Sequence, residues 1–295
     1  MIVALNQSPL TTSGFQAGLE AMEKTIQQNI AEGAKLCIFS EDFLYGILRG
    51  KPKLIQAGKQ FDRNVEKVKQ LARKYQVDII PGSLPRYYKS SVFNSTVYVD
   101  KTGDIRTQYS KHNLWLSERQ DFTPSLEPLQ IFDSVLGKTA IIICWDLIDH
   151  TLFKEAVRQG AHWVICLSFW MISQTDDLRR TRGEVKTQYH GFSDANFLDI
   201  LIPARCMEYN VGILFCNFSG THEYTGDFGT IQRGISAGRT QVITPLKHVS
   251  ASIRNGQSKT LLTDINTSSE LRLFQDMEIW YGRHEDILHN YPYGQ

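Results

Sequence analysis

Short apolar runs alternate along this chain with segments whose apolar residues recur at helical spacing. The runs predict strands at residues 2–6, 35–39, 77–81, 95–100, 105–109, 129–132, 138–144, 163–167, 211–216 and 241–244. The helical spacing predicts helices at residues 16–32, 61–75 and 148–160, and a further helix that ends near Tyr209. Strands that alternate with helices, and a hairpin turn at residues 101–104, indicate an α/β fold with mixed sheets and helical covers.

The run at residues 137–144 is the most informative of these strands. It lacks an alternation of apolar and polar positions, so we expect a central strand that is covered on both faces. Its last residue is Cys144, and Trp145 and Asp146 break the apolar run directly after it. Because chemistry in open α/β sheets collects at the carboxyl ends of strands, the Cys144 thiol is a candidate nucleophile.

Charged residues follow two other predicted strands in the same way. Glu41 comes just after the strand at residues 35–39, and Lys111 comes just after the strand at residues 105–109. If these strand ends meet, a carboxylate, an ammonium group and a thiol converge on one pocket, although each charge alone could simply be solvated. The other cysteines lie in apolar stretches and are predicted to be core residues: Cys37, Cys166, Cys206 and Cys216.

The balance of charges gives no indication that the protein binds nucleic acid or an anionic membrane. The 295 residues include 32 Lys and Arg against 31 Asp and Glu, so a formal net charge of +1 favours neither nucleic acid nor an anionic membrane. A basic cluster at Arg179, Arg180 and Arg182 is flanked by acidic residues and is interpreted as a solvated helix face. No apolar run approaches the ~20 residues that span a bilayer. The amino terminus does not read as a signal peptide, and five scattered cysteines indicate reduced thiols, so we expect a cytoplasmic protein.

The sequences around the three candidate groups resemble the signature of the nitrilase, or carbon–nitrogen hydrolase, superfamily. The match comprises residues 40–46 (SEDFLYG) for the glutamate, 109–114 (YSKHNL) for the lysine and 142–146 (IICWD) for the cysteine. Glu118, within residues 117–124, resembles the second glutamate of the family. Later segments also fit, so the resemblance extends to about residue 245; they are residues 202–210, 214–220 and 238–245.

The resemblance implies a four-layer α-β-β-α sandwich, one domain over residues 1–295 and a homodimer. It implies that Cys144 forms a thioester, that Glu41 takes and returns protons, and that Lys111 and the main-chain N–H of Trp145 stabilise an oxyanion. Glu118 is assigned to positioning Lys111 or the substrate. The charge of Lys111 favours ionised Glu41 while burial opposes it, and the sequence leaves open which effect is larger. This chemistry requires no metal or other cofactor.

The implied reaction is hydrolysis of a non-peptide C–N bond in a small amide or N-carbamoyl amine, with release of ammonia. The pair Trp145-Asp146 resembles the amide and carbamoyl branches more than the nitrilases, in which Trp-Glu usually follows the cysteine. Residues 147–153 depart from the Arg-x-Pro-Glu-like stretch of many members, which leaves the substrate open. Four aromatic residues near the strand ends are predicted to bind substrate, with ordinary packing as the alternative: Tyr45, Trp115, Trp145 and Trp170.

Other functions remain as alternatives at this point. Nitrile hydrolysis by the same three groups is one, and a catalytically silent dimeric binding module of the same fold is another. Ser236 lies in a G-x-S-x-G sequence, but the strand-like residues after it do not fit the strand–turn–helix context of a serine hydrolase. His284 and His289 are five positions apart rather than the four of the H-E-x-x-H zinc motif, so we interpret them as surface histidines.

Overall fold

Two β-sheets lie face to face between helices in the computed structural model, which describes residues 1–173, 194–225, 231–245 and 248–266. The strands in chain order are β1 (Ile2–Gln7), β2 (Ala34–Phe39), β3 (Asp78–Ile80), β4 (Leu84–Tyr88), β5 (Ser91–Val99), β6 (Ile105–Ser110), β7 (Phe132–Ser134), β8 (Gly137–Ile143), β9 (Trp163–Leu167), β10 (Met171–Ser173), β11 (Gly212–Cys216), β12 (Thr221–Thr225), β13 (Ile231–Ser236), β14 (Thr240–Thr244), β15 (His248–Ile253) and β16 (Lys259–Asp264). The helices are α1 (Phe15–Ala31), α2 (Lys51–Gly58), α3 (Phe61–Tyr75), α4 (His150–Arg158) and α5 (Asp194–Tyr209).

The first sheet has seven strands in the order β16-β1-β2-β3-β5-β4, with β6 paired to β5. Strands β1, β2 and β3 are parallel, and the β5–β6 pair is an antiparallel hairpin. The second sheet has six strands in the order β15-β14-β11-β9-β8-β7, in which β8, β9 and β11 are parallel. A small third sheet consists of β10, β13 and β12. Since parallel strands end at the same edge, each large sheet presents several carboxyl ends side by side.

Strand β1 shows why the layers stack as they do. Val3 and Leu5 belong to the core between the two large sheets, together with residues of β8, β9 and β11. The intervening Ala4 belongs to a second core, which the sheet forms with α1 and α3. Alternate residues of a strand point to opposite faces, so one sheet supports two layers of packing. Helices α4 and α5 cover the second sheet, and the expected α/β sandwich is confirmed.

The apolar pattern of residues 129–132 was interpreted wrongly. Strand β7 occupies Phe132–Ser134, and residues 129–131 lie outside it. The β7–β8 hairpin sets this position, because Ser134 pairs with Gly137 across a tight turn in which the Ser134 hydroxyl accepts a bond from the N–H of Leu136. The strand therefore begins at Phe132 and continues to the hairpin turn, whereas Leu129 is buried but lies outside any strand. The apolar residues at 129–131 indicate burial and not strand pairing.

Several elements have no counterpart in the predictions from sequence. They are α2, β4, β10, β12, β13, β15 and β16. Among the described residues, no helix is both long and apolar enough to cross a membrane. That all 295 residues form a single domain stays a prediction.

Candidate active site

Three strand ends bring the predicted catalytic groups together. Glu41 follows β2 after one residue, Lys111 directly follows β6, and Cys144 directly follows β8. The first two belong to one sheet and the third to the sheet that faces it, so the groups meet at the edge of the sandwich. All are buried, with exposed fractions of 2% for Glu41, 1% for Lys111 and 8% for Cys144.

The Lys111 ammonium group bridges two carboxylates. Its Nζ lies 2.8 Å from Oε1 of Glu41 and 2.7 Å from Oε2 of Glu118. Buried ions of opposite charge stabilise one another because the interior screens them little. An ammonium group has three protons, so two bonds to carboxylates leave one proton for another acceptor. Glu118, predicted to position Lys111 or the substrate, therefore contacts Lys111 directly.

Two groups at this site were missed by the sequence analysis. The side-chain amide of Asn94, in β5, donates to Oε1 of Glu41 (2.9 Å) and to Oε1 of Glu118 (3.1 Å). The main-chain N–H of Phe169, just after β9, donates to Oε2 of Glu41 (2.8 Å). Consecutive polar residues inside a strand, from Asn94 to Thr96, could have indicated the first. A main-chain group carries no side-chain signal, so only the fold could indicate the second.

The turn that holds Cys144 has an unusual backbone. Cys144 has φ +49°, a conformation that non-glycine residues seldom adopt and that is concentrated at functional sites. A short 3-10 helix, Cys144–Ile148, follows. Asp146 closes this turn, because its Oδ2 accepts the main-chain N–H of Ile143 (3.0 Å). The N–H groups of a first helical turn lack acceptors within the helix, which leaves that of Trp145 suited to an oxyanion.

Asp146 also connects the cysteine turn to the segment that carries Lys111. Its Oδ2 accepts the hydroxyl of Tyr109 at the end of β6 (2.7 Å), and its Oδ1 accepts the main-chain N–H of Asn113 (2.7 Å). Tyr109 and Asn113 lie two residues before and after Lys111 in the sequence. One fully buried carboxylate thus fixes the turn that holds Cys144 relative to the segment that holds Lys111.

Burial and charge set the proton affinities of Cys144 and Glu41, the candidate nucleophile and base. Burial, with a smaller contribution from the charge of Glu41, raises the pKa of the Cys144 thiol well above its usual value. Burial also raises the pKa of Glu41, and although the charge of Lys111 opposes this, burial has the larger effect. The sequence left open whether burial or the charge of Lys111 has the larger effect on the pKa of Glu41, and in the structure it is burial. The thiol is protonated at rest, and the neighbouring carboxylate is a stronger base than an exposed glutamate.

Lys111 and Glu118 remain charged despite their burial. Burial alone would lower the pKa of Lys111, but the charges of Glu118 and Glu41 outweigh it and raise that pKa well above its usual value. Burial alone would raise the pKa of Glu118, but the charge and hydrogen bond of Lys111, together with the hydrogen bonds from Trp115 and Asn94, outweigh it, and the pKa is lowered. Glu41, whose pKa is raised, is therefore the carboxylate that takes up a proton more readily, while Glu118, whose pKa is lowered, serves as a fixed negative charge.

Three of the four predicted aromatic residues form one array. The rings of Trp115 and Trp145 are 4.3 Å apart and nearly perpendicular, and Trp145 is 5.3 Å from Trp170. The ring of Phe197, in α5, stacks on Trp170 at 5.9 Å and extends the array. Tyr45 lies elsewhere: its ring packs on Phe15 of α1, and its hydroxyl accepts the side-chain amide of Asn64 in α3.

The rival motifs do not form a second site among the described residues. Ser236 is buried at the end of β13, and its hydroxyl donates to the carbonyl of Phe218 (2.5 Å) and accepts the N–H of Gly238 (3.0 Å). A strand, β14, follows it rather than a helix. The remaining candidates lie outside the described residues: His284, His289, Arg179, Arg180 and Arg182.

Solved structures of amidases, one of them described as an amidase from the nitrilase superfamily, share this fold. An amidase from Nesterenkonia sp. AN1 superposes with a TM-score of 0.74 over 98% of this chain and 99% of that one, at 18% identity. The chain belongs to the carbon–nitrogen hydrolase family, whose model matches residues 2–190.

Curated relatives are more similar in sequence but match over shorter lengths. A protein described as a hydrolase in the agr operon of Staphylococcus lugdunensis is 28% identical over 171 residues, which are 56% of this chain and 64% of that one. A probable nitrilase of Schizosaccharomyces pombe is 28% identical over 165 residues, 54% of this chain and 52% of that one. The chain spans about half to two-thirds of the length of these relatives.

Proposed function

We propose that this protein hydrolyses a non-peptide C–N bond of a small amide or N-carbamoyl amine through a thioester at Cys144, releasing ammonia. The observation that carries the proposal is the buried arrangement of Glu41, Lys111 and Glu118 beside a cysteine on a strained turn. It supplies a base, a fixed cation and a nucleophile within one site. A binding module has no need to bury such charges together, because burial of ions is costly.

The first half of the reaction forms the acyl enzyme. The Cys144 sulfur attacks the carbonyl carbon while Glu41 accepts the thiol proton, and the carbonyl oxygen becomes an oxyanion. The third proton of Lys111 and the N–H of Trp145 stabilise this oxyanion. The C–N bond then breaks, Glu41 gives its proton to the departing nitrogen, and ammonia leaves a thioester behind.

The second half releases the acid product. Glu41 takes a proton from water, whose oxygen attacks the thioester carbon, and the same donors stabilise the second oxyanion. The C–S bond breaks, and the proton on Glu41 returns to the sulfur. An N-carbamoyl amine would follow the same steps to a carbamate, so one set of residues suits both substrate classes.

Two observations favour an amide or carbamoyl substrate over a nitrile. The residues after the cysteine, Trp145-Asp146, resemble the amide and carbamoyl branches of the family. In a mutant of the Nesterenkonia amidase, the acetamide moiety of fluoroacetamide is attached covalently at the active-site cysteine. That adduct retains the amide, so we extend to this chain only the access of a small amide compound to a nucleophilic thiol, as part of the proposal.

Ammonia release tests the proposal. The purified protein is assayed with aliphatic amides, N-carbamoyl amines and nitriles of matched size, with Cys144→Ala as the control. We expect turnover of an amide or carbamoyl compound, loss of activity in Cys144→Ala, and an acyl adduct on the Cys144 peptide after rapid acid quenching. Turnover of nitriles alone would support the nitrile alternative. Absence of turnover throughout would favour the silent module.

The tryptophan array gives a test of where the substrate binds. Trp115 is 40% exposed, and its main-chain N–H donates to Glu118 (2.8 Å), so its ring stands at the approach to the catalytic groups. We expect Trp115→Ala to raise KM with little change in kcat, because an apolar wall binds substrate and transition state equally. Tyr88→Ala, which removes an aromatic ring that is 42% exposed on β4, is the matched control and should leave KM unchanged. An unchanged KM in Trp115→Ala would contradict this role.

The prediction that Tyr45 binds substrate has weaker support, since its ring and hydroxyl contact α1 and α3. A homodimer and a cytoplasmic location also remain proposals. Light scattering of the purified protein and fractionation of cells test them.

A further inference from the structure

We infer that Asn94 is a positioning residue that keeps Oε1 of Glu41 unprotonated and thereby directs the transferred proton to Oε2. The inference rests on the proposed function, in which Glu41 acts as the base. It assigns separate tasks to the two oxygens of one carboxylate. Oε1 accepts hydrogen bonds from Lys111 and Asn94. Oε2 takes the proton from the sulfur, gives it to the leaving group and later takes one from water.

The donors to Glu41 are distributed unequally. Oε1 accepts from Lys111 (2.8 Å) and from the amide of Asn94 (2.9 Å), whereas Oε2 accepts from the N–H of Phe169 (2.8 Å). A carboxylate oxygen has two acceptor positions, so Oε1 is filled and Oε2 has one position left. A proton placed on Oε1 would displace a donor, and the displaced donor would be buried without an acceptor.

Of the two oxygens, Oε2 is therefore the one that can accept the thiol proton. The main-chain N–H of Phe169 fills one of its two acceptor positions (2.8 Å), and no other described residue donates to it. The charge of Glu41 acts on the Cys144 thiol, which directly follows β8 on the facing sheet. Proton transfer from sulfur to Oε2 leaves the bonds of Lys111 and Asn94 to Oε1 in place.

Asn94 is rigidly attached to the rest of the site. Its main-chain carbonyl accepts the N–H of Lys111 (2.8 Å), and the residue is buried, with an exposed fraction of 2%. The same amide nitrogen donates to Glu41 and to Glu118, so one group fixes the spacing of both carboxylates. Being neutral, it does so without adding charge.

The charges that face Glu41 come from several elements. Lys111 follows β6, Glu118 lies on the 3-10 helix Leu116–Gln120, and Cys144 follows β8. Asp42, the next residue along the chain, is also close, and burial together with the charge of Glu41 raises its pKa to about 8. Arg49 acts in turn on Asp42. Because Lys111 is the cation that bonds to ionised Glu41 among the described residues, loss of a neutral donor should have a measurable effect.

The test measures alkylation of Cys144 by iodoacetamide as a function of pH, with peptide mass mapping to identify the modified residue. A sulfur–carbon bond forms, iodide leaves, and the thiol proton passes to Glu41, so the first proton transfer is observed without any substrate. We expect Asn94→Leu to move the midpoint of the pH profile upward by about one unit, since a lost donor favours protonated Glu41. The rate should fall about tenfold below the midpoint and remain unchanged above it.

Asn94→Asp provides the second variant, because it preserves size while it replaces the donor with an acid. Its midpoint should shift upward further, since a third carboxylate opposes ionisation of Glu41. Asn29→Leu is the matched control: Asn29 is also 2% exposed, and its amide also donates to two acceptors, in α1 and away from the site. Asn29→Leu should leave the midpoint unchanged.

A uniform loss of rate at every pH, or an unchanged midpoint in the folded Asn94 variants, would overturn the inference. If Asn94→Leu does not fold, Asn94→Asp decides the matter by the same criteria. A protein whose Cys144 is alkylated with the expected shift but which hydrolyses no amide, carbamoyl compound or nitrile would support the role of Asn94 and contradict the proposed function. The two failures are therefore distinguishable.

Discussion

Cys144 and Ser236 are two buried candidate nucleophiles whose surroundings differ. Both lie at or just after the end of a strand, with exposed fractions of 8% and 2%. Ser236 uses its hydroxyl as both donor and acceptor, to the carbonyl of Phe218 and from the N–H of Gly238. Cys144 instead has its thiol beside the Glu41 carboxylate. The comparison supports Cys144 over Ser236 as the candidate nucleophile, because it has a base nearby and Ser236 already donates its proton to the backbone.

The glycines near Ser236 have structural reasons of their own. A Cβ at Gly234 would lie 2.5 Å from the sulfur of Met171, across the β10–β13 pair. Gly238 has φ +64°, and a Cβ there would collide with the carbonyl of Asn255. Between them, Ala237 donates its N–H to the carbonyl of Trp170 (2.9 Å). This G-x-S-x-G sequence therefore builds a close strand pair and a turn that holds Trp170 of the tryptophan array.

The largest expected effect comes from removing the thiol at position 144 and introducing one at position 236. Cys144→Ala should lower hydrolysis by on the order of 10⁴- to 10⁶-fold, because no thioester can form. Adding Ser236→Cys to this variant should restore nothing, since the described groups that bond to the side chain at position 236 are a main-chain carbonyl and a main-chain N–H, and neither is a base. Ammonia release measures both variants. Recovery of activity in the double variant would break the comparison.

Replacing the base should have the next largest effect. Glu41→Gln keeps the shape but cannot accept a proton, so the rate should fall by about 10² to 10⁴. In the unmodified protein, burial raises the pKa of Glu41, and the ionised form is the base. Activity should therefore be lost as pH falls through a midpoint above the ordinary glutamate pKa of about 4.3. A pH profile of kcat/KM with a midpoint at or below that value would contradict the assignment.

A smaller effect is expected when the turn under Cys144 is loosened. Asp146→Asn replaces an oxygen that accepts main-chain or hydroxyl protons, so one buried donor loses its partner. This should cost about 1–3 kcal/mol of unfolding free energy. It should also lower kcat by about tenfold, the change that ~1.4 kcal/mol in the barrier produces. Urea unfolding measures the change in unfolding free energy, and steady-state kinetics measures the change in kcat. A loss of stability with unchanged kcat would contradict a positioning role for Asp146.

The smallest effect on catalysis is expected at Ser236. Ser236→Ala leaves the carbonyl of Phe218 and the N–H of Gly238 without their partner, which should destabilise the fold by about 1–3 kcal/mol. Hydrolysis at saturating substrate should be unchanged for the protein that remains folded. Thermal unfolding and active-site-normalised rates measure these quantities. A rate loss comparable with that of Cys144→Ala would reverse the comparison.

Many of the helices and strands could be predicted from the pattern of apolar residues. Helix α3 occupies the predicted residues 61–75, because Val65, Val68 and Leu71 repeat at helical spacing on its buried face. The central strands of both sheets were predicted for a similar reason, since strands covered on both faces are uniformly apolar. Strands β4, β12 and β13 were not predicted, and the 129–132 segment was assigned wrongly. Their pairing depends on partners and turns that a local pattern does not specify.

The sequence by itself determined which chemical groups stand at the strand ends: Glu41, Lys111 and Cys144, with Glu118 from the family resemblance. The tertiary structure decided how those groups act. It supplied the amide of Asn94 and the N–H of Phe169, committed the hydroxyl of Ser236 to the backbone, and made burial outweigh Lys111 in setting the pKa of Glu41. The reason is physical: periodicity and residue type are local properties, whereas desolvation and hydrogen-bond partners depend on atoms contributed by distant segments.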